Sequence, residues 1–479
     1  MLKNARYHEV DRMKKKLEDF FKIRPGMQKK YDYPGTYRDF VKDIARFLTP
    51  LEEEKPVQDI IMEKVGKILG EEISLERLKH QLLHYPIVSY ADHHGLLNYK
   101  LLYNSNLLFA EIIKELKLPF LIVGATGNVP LKNESFPRGF YFKRQKFNFF
   151  GVKHAKTSVF LLDEKLDADK RKGIDSFIIS YDRDLLTSEE RKFLEYLFFD
   201  CLEIEKAAGN YEIFSDQLTF LNFKLWKHYF DKNIRDTVPD ILYLQTNQII
   251  YNALLEEIKK EDSLISLILF EPKARRIFLE NFSGIQGCWA KDRGSQFFWG
   301  IGEKKKRVAL HVDDTSNSLV GKNFKLELER DTIINALETR KLLPSLFFDF
   351  LIISFLGGYL TLGGFNQLDY LQQMQEAHVI SLIDFMIQVQ EAHVKSLNEI
   401  GMHHMADQFA SRVTDGLVCG MMPFDFDSGI DLIWHYNSHN GKFNGSMDGG
   451  LTRADLDKML EMKVKDMIAS AVETMLENV

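Results

Sequence analysis

The sequence predicts an α+β protein: a central mixed α/β region with short strands over residues 86–330, flanked by a helical lead-in over 1–85 and a helical C-terminal region over 331–479. Three observations carry this. The first 84 residues are charged and helix-patterned, with breaks at Pro25-Gly26 and Pro34-Gly35. Short apolar runs then alternate with helical ones from Pro86 to about Arg330, and the helical pattern returns at Asp331. With 479 residues and 45% hydrophobic content, the chain has material for two or three cores, because one core stops growing at roughly 250 to 300 residues.

Taken in order, "PIVSY" from Pro86, "PFLIVGA" and "KTSVFLL" read as strands, while "SEERKFLEYLFF" and "EPKARRIFLENF" read as helices. "SQFFWGIGEKKKRVALHV" reads as a hairpin whose turn is Gly302 to Lys305, its basic run a solvated turn. Asp331 is the expected N-cap of the next helix. Leu342 to Phe365 approaches membrane-spanning length, but Asp349 and two Gly-Gly pairs fit a buried helix that breaks at Gly357-Gly358. "QEAHVISLI" at Gln375 and "QEAHVKSLN" at Gln390 lie about four helical turns apart, which sets His378 and His393 near one face; a polar stripe explains this better than a metal site. The last helix, "DLDKMLEMKVKDMIASAVETML", is expected to start at Thr452 and carries a Met-rich apolar stripe.

Charge and cysteines narrow the function classes. With 69 acidic against 63 basic residues the net charge is -6, so no global field recruits nucleic acid or an anionic membrane. Cys201, Cys288 and Cys419 are odd in number and contain no CxxC, which suits a reduced compartment and a cytoplasmic protein. The charged start, "MLKNARYHEVDRMKKKLEDFF", has no apolar signal core.

The residues with most chemical promise are "SYADHHGLLN", Ser89 to Asn98. Asp92 fits a helix N-cap, with the helix beginning at once. That role leaves His93 and His94 unexplained, because imidazolium opposes the positive end of a helix. Neutral imidazoles suit general acid/base work near neutral pH. Asn104 falls within the stripe of Leu97, Leu101, Leu108 and Ile112, where its amide needs a buried partner or a ligand. His80 and His84 in "HQLLH" have the i, i+4 spacing of zinc ligands and, with Asp92 and His94, define an alternative metal-dependent hydrolase site. The carboxylate and thiolate partners of a tetrahedral site are missing, so no bound metal is expected. "DHH" lacks the His-x-Asp-x-Asp segment of the phosphoesterases that share this tripeptide, and "IVGATGNVPL" has Pro130 where a dinucleotide fingerprint needs glycine.

"ADHHGLLNYKLLYNSNLL", "VPLKNESFPRGFYF" and "CWAKDRGSQFFWGI", followed by "LGGYLTLGGFNQLDYLQQM", resemble a group of mostly uncharacterised bacterial proteins associated with the Pictet-Spengler β-carboline synthases of natural-product pathways. The resemblance touches about a quarter of the chain by the extent of such matches. It implies a cofactor-free, dimeric enzyme that condenses an aromatic amine with an aldehyde through a glutamate base. The first glutamate after the histidine pair is Glu111, so the reaction class is carried over and no catalytic residue is.

The same stretches have their own physics. Asn133 and Arg138 flank a proline turn, where an Arg fork can hold a carboxylate. Trp289 and Trp299 can stack on an aromatic ligand or serve the core. The sequence thus points to an acid/base enzyme acting on a small organic molecule, with His93 or His94 catalytic, Asn104, Asn133, Arg138 and Trp299 binding substrate, and no cofactor. The resemblance also implies a homodimer. A non-catalytic binding or assembly protein, docking through its C-terminal helices, is the alternative from another class.

Overall fold

The computed structural model describes residues 22, 28, 31–46, 56–90, 92–130, 140–143, 145–147, 157–161, 186–285, 294–364, 367–397, 426 and 428–477. Within them the chain is α+β. The lead-in folds into helices Tyr37–Arg46, Pro56–Leu69 and Leu75–His84. The strands that follow are β1 (Ile87–Ser89), β2 (Phe120–Ala125), β3 (Phe140–Phe142), β4 (Gln145–Phe147), β5 (Asp240–Gln245), β6 (Phe298–Ile301) and β7 (Arg307–Ala309). Then come β8 (His311–Asp313), β9 (Ser318–Gly321), β10 (Phe324–Glu327), β11 (Leu342–Pro344) and β12 (Leu360–Leu362).

A four-stranded sheet in the order β12-β1-β2-β5 organises the molecule, and every pairing in it is parallel. Parallel strands are covered on both faces and so read as unbroken apolar runs. β2, "FLIVGA", is buried at all six positions, and β5, "DILYLQ", at all but its first. The helix Lys100–Glu115 lies between β1 and β2 in the chain, as a parallel crossover requires. From β1 the chain moves outward through β2 and β5, and it returns to the other side of β1 only with β12. The direction of travel across the sheet therefore reverses at β1. The division expected at residue 330 is crossed by this sheet, since β12 from the C-terminal region pairs with β1 from the central one.

Several expectations hold. Pro272–Phe282 is a helix with Pro in its first turn, Ser188–Glu195 is a helix with a full capping box, and β6 and β7 form the expected hairpin. Thr452 caps its helix, with Asp455 completing the box, but the segment makes two helices, Arg453–Leu460 and Val464–Glu477. Among the described side chains of this segment, Leu456, Met459, Met467 and Ile468 are buried in this chain's own core.

Others fail for identifiable reasons. "KTSVFLL" makes a short 3-10 turn, Val159–Leu161, held by backbone donation from Val159 to Val129 and from Phe160 to Gly127. Asp331 lies in the first turn of the helix Arg330–Glu338, whose N-cap is Glu329. The described part of this stretch, Leu342 to Gly364, is largely buried and does break at Gly357-Gly358, but it begins with the strand β11 and runs into β12 after the break. Between them the helix Leu346–Phe350 widens into a π turn, Leu351–Leu356. The turn closes when Gly357 donates to the carbonyl of Ile352, five residues back, at 2.8 Å, and Gly358 follows at φ 66°, a conformation that favours glycine. His378 sits in the helix Gln367–Leu397, which also contains His393. It is packed against Phe282 and Phe347 with ring centroids 4.5 and 5.3 Å away, and burial pushes its pKa down to about 3. No described helix is long and apolar enough to cross a membrane.

One side chain anchors the start of the sheet. Gln81, fully buried, donates through Nε2 to the carbonyl of Phe120 at 2.7 Å and accepts the Phe120 N–H at Oε1 at 3.0 Å, so its amide stands in for a neighbouring strand. Gln81→Leu strands both backbone groups, and urea unfolding is expected to show a loss of about 2 to 4 kcal/mol; a change within about 0.5 kcal/mol contradicts this account.

Candidate functional site

The segment after β1 is an irregular loop, contrary to the expected helix start. The helix begins only at Lys100, and its N-cap is Tyr99. Asp92 is therefore not a helix cap. Its buried carboxylate accepts the His93 N–H at 2.7 Å and the Asn106 Nδ2–H at 3.3 Å, bracing the loop against the helix Lys100–Glu115. Backbone bonds from Thr126 N to the Asp92 carbonyl and from His94 N to the Thr126 carbonyl extend the β1–β2 pairing beyond the strands proper. Asn222 clamps the far end of the loop, accepting from Leu97 N at 2.7 Å and donating to the Gly95 carbonyl at 2.8 Å. Tyr243 donates to the His93 carbonyl at 2.8 Å, and its ring lies 5.4 Å from that of His94, which is 1% exposed. Both histidines are thus fixed at the C-terminal ends of β1, β2 and β5.

A second group gathers around Gly127. The Gly127 N–H donates to Asn247 Oδ1 at 2.6 Å. Gln245 fills the space where any larger residue would put its Cβ, which would stand 2.5 Å from Gln245 Nε2. Asn128 donates from Nδ2 to the Pro344 carbonyl at 2.8 Å. All three carboxamides are buried. Among the described residues nothing pairs with Gln245 Oε1, Gln245 Nε2, Asn247 Nδ2 or Asn128 Oδ1. Buried amides in folded proteins are nearly always hydrogen-bonded, so four open positions in one place ask for an explanation.

A third group occupies the opposite face. Tyr243 pairs with Val123, and Leu244 with Gly124, so alternation puts Tyr243 and Leu244 on opposite sides. A Cβ at Gly124 would meet the Tyr90 ring at 3.0 Å and Thr246 Oγ1 at 3.1 Å, placing these two with Leu244 and away from His94. The Tyr90 ring packs 5.1 Å from Phe350. Beside it is Asp349, fully buried, with neither carboxyl oxygen paired among the described residues. Burial pushes the Asp349 carboxyl well above its ordinary range. The Tyr90 phenol is raised by its own burial first and then by Asp349. Gln367 ties this corner to β12, donating to the Tyr90 carbonyl at 2.8 Å and accepting from Gly364 N at 2.6 Å.

The sequence-predicted site is therefore partly assembled. Asp92, His93 and His94 converge. His80 and His84 adjoin each other, with rings 4.6 Å apart, but they end the helix that enters β1, whereas Asp92 and His94 follow β1. The strand separates the pairs, and no three metal-ligating side chains meet among the described residues. Asn104 is buried with Oδ1 unpaired among the described residues, yet it stands two residues, about 200° of helix rotation, from the Asn106 that faces Asp92. Trp299 on β6 lies outside the histidine group; Arg307 covers its ring at 4.0 Å, and it packs on Phe160 and Leu343. Asn133, Arg138 and Trp289 lie outside the described residues. Glu111, the first glutamate after the histidines, is buried 3.6 Å from Arg453, and burial raises its pKa. Comparison with protein-family models and with curated proteins finds no match to this chain.

Asp349 gives a pH test. Its folded pKa is raised above the unfolded value of 3.8, so its favourable contribution is complete below that value and is lost as pH rises and the unfolded chain ionises first. Asp349→Asn removes this loss. The variant is expected to melt close to the parent near pH 4 and to exceed it by at least about 1 kcal/mol near pH 8; a gap independent of pH contradicts a buried neutral acid.

Proposed function

We propose that this chain is an enzyme acting on a small organic molecule by general acid/base chemistry at the C-terminal edge of its parallel sheet. One observation supports this above the others. The Asp92-His93-His94 segment leaves the C-terminal end of β1, the strand at which the chain's direction across the sheet reverses, and open α/β sheets bind ligands in that crevice. There His94 is held beside Tyr243, within a desolvated setting where proton transfer is effective.

The amine–aldehyde condensation implied by the sequence resemblance is one reaction of this type. The amine nitrogen adds to the aldehyde carbon, water leaves to give an iminium, and a ring carbon of the amine attacks it to form the new C–C bond. The ring proton then passes to a base, a role His94 fills in this reading. Amine and aldehyde become cyclised amine and water, with no redox partner required.

Purified full-length protein incubated with tryptamine and an aldehyde is expected to form the cyclised amine faster than buffer, and His94→Gln to lose at least about tenfold of that rate. A rate equal to buffer removes the condensation reading. An unimpaired His94→Gln removes the histidine.

The reading as a binding or assembly protein, including a homodimer, draws on one observation. Ile380 and Ile383, three residues apart on the helix Gln367–Leu397, are 49% and 42% exposed. Light scattering on eluted protein is expected to give twice the chain mass, and Ile380→Lys with Ile383→Lys to halve it; a monomeric parent protein ends this reading.

A further inference from the structure

The buried carboxamides carry an inference about the ligand itself. It rests on reading the sheet edge as a ligand site, though not on the chemistry of His94. We propose that Gln245, Asn247 and Asn128 bind a neutral, planar heterocycle through an adjacent donor and acceptor on its edge, beside an apolar wall of Phe160, Tyr251 and Trp299.

The argument begins with which amide atoms are taken. Asn247 Oδ1 accepts from Gly127, and Asn128 Nδ2 donates to Pro344, while both polar atoms of Gln245 are open among the described residues. What remains is balanced: donors at Gln245 Nε2 and Asn247 Nδ2, acceptors at Gln245 Oε1 and Asn128 Oδ1. A carboxylate would satisfy the donors and confront the acceptors, and an ammonium group would do the reverse. A cis-amide edge, with N–H beside C=O, answers a carboxamide with two parallel hydrogen bonds and brings no charge into a buried setting. The Gly127 backbone packs directly on the Gln245 amide, where even a Cβ would stand 2.5 Å from Nε2, so this turn covers the open groups.

The wall follows from the same elements. Tyr251 is four residues after Asn247 on the helix Thr246–Lys259 and therefore lies on the same face. Its ring is 6.0 Å from Phe160, whose backbone N–H donates to the Gly127 carbonyl at 3.0 Å. Leu343 packs with Phe160 and Trp299, and its neighbour Pro344 receives Asn128. The turn Gly127–Asn128 thus borders both the open amides and the aromatic side chains. The cations here sit on ring faces: Arg307 over Trp299 at 4.0 Å and Arg340 over Phe160 at 5.5 Å, both exposed to solvent. The open amide atoms are closed off from water, so the turn has to lift for a ligand to enter, and the bonds then form in a dry site.

The test uses 2-pyridone, a small cis-amide heterocycle, and N-methyl-2-pyridone, which keeps the ring and the carbonyl and loses the donor. Saturation-transfer NMR on the full chain is expected to show 2-pyridone binding at least about tenfold tighter than its N-methyl analogue. Gln245→Met is expected to abolish the difference. Asn247→Asp, which keeps the acceptor that holds Gly127 and replaces the second donor with an oxygen, is expected to weaken 2-pyridone binding and serves if Gln245→Met does not fold. Equal affinities, no saturation of either compound by about 20 mM, or discrimination that survives in both variants overturns the proposal. His94→Gln is expected to bind 2-pyridone like the parent. An active parent enzyme that fails to discriminate the two compounds would leave the acid/base reading standing and remove this one.

Discussion

The gathering of buried polar groups described above depends on the common direction of four short strands. Because β12, β1, β2 and β5 run in parallel, the chain leaves all of them at one edge, and the segments that follow must turn there before crossing back. Those segments are where the polar residues concentrate: Tyr90 to His94 after β1, Thr126 to Asn128 after β2, Thr246 to Gln248 after β5. An antiparallel sheet of the same residues would have divided them between two edges.

The polar groups at this edge oppose the stability of the fold. The open carboxamides and the paired-less acid of Asp349 are desolvated without return among the described residues, and each such group costs about 1 to 3 kcal/mol. The surrounding framework is rigid enough to hold them: Asp92 is braced by Asn106, Asn222 grips the loop from both sides, and Tyr243 holds the His93 carbonyl. Some other buried polar side chains are matched closely, as Gln81 is on Phe120, while Asn104, His228 and Tyr359 also keep a buried polar atom unpaired among the described residues. This edge differs from those scattered single atoms in gathering several open groups together, and local departures of that kind mark places where a structure serves something other than its own stability.

What could be read from the sequence was what local physics fixes. β2 was visible in an apolar run bounded by Pro119 and Thr126, the helix at Pro272 in its proline, and the helix at Arg453 in its Thr452 cap, because each signal lies within a few residues of the element it sets. "KTSVFLL" has the same apolar look as β2, but its described residues form a 3-10 turn whose backbone the turn Gly127–Pro130 captures. Asp92 resembles a cap because of its position after β1, yet its partner Asn106 is nearly two turns into the helix beyond it. Within the site, the histidines announced themselves by residue type. Gln245 and Asn247 did not, although "QTNQ" directly after an apolar strand was a signal, because ordinary amides become notable only when folding leaves them buried together. The link between β12 and β1 spans most of the chain, and no periodicity within either segment encodes it.

The π turn Leu351–Leu356 has a consequence for how this edge can change. Winding five residues between donor and acceptor stores one residue more than regular helix would over the same rise, so the segment carries an insertion that the fold has absorbed. Loss of any one of those residues would restore ordinary winding and turn Asp349 by about 100° relative to Gly357 and β12, away from the Tyr90 corner. The aim of the buried acid is therefore governed by chain length in that turn as much as by the side chains around it. A descendant sequence could redirect it by a single codon deletion while leaving every residue of the sheet in place.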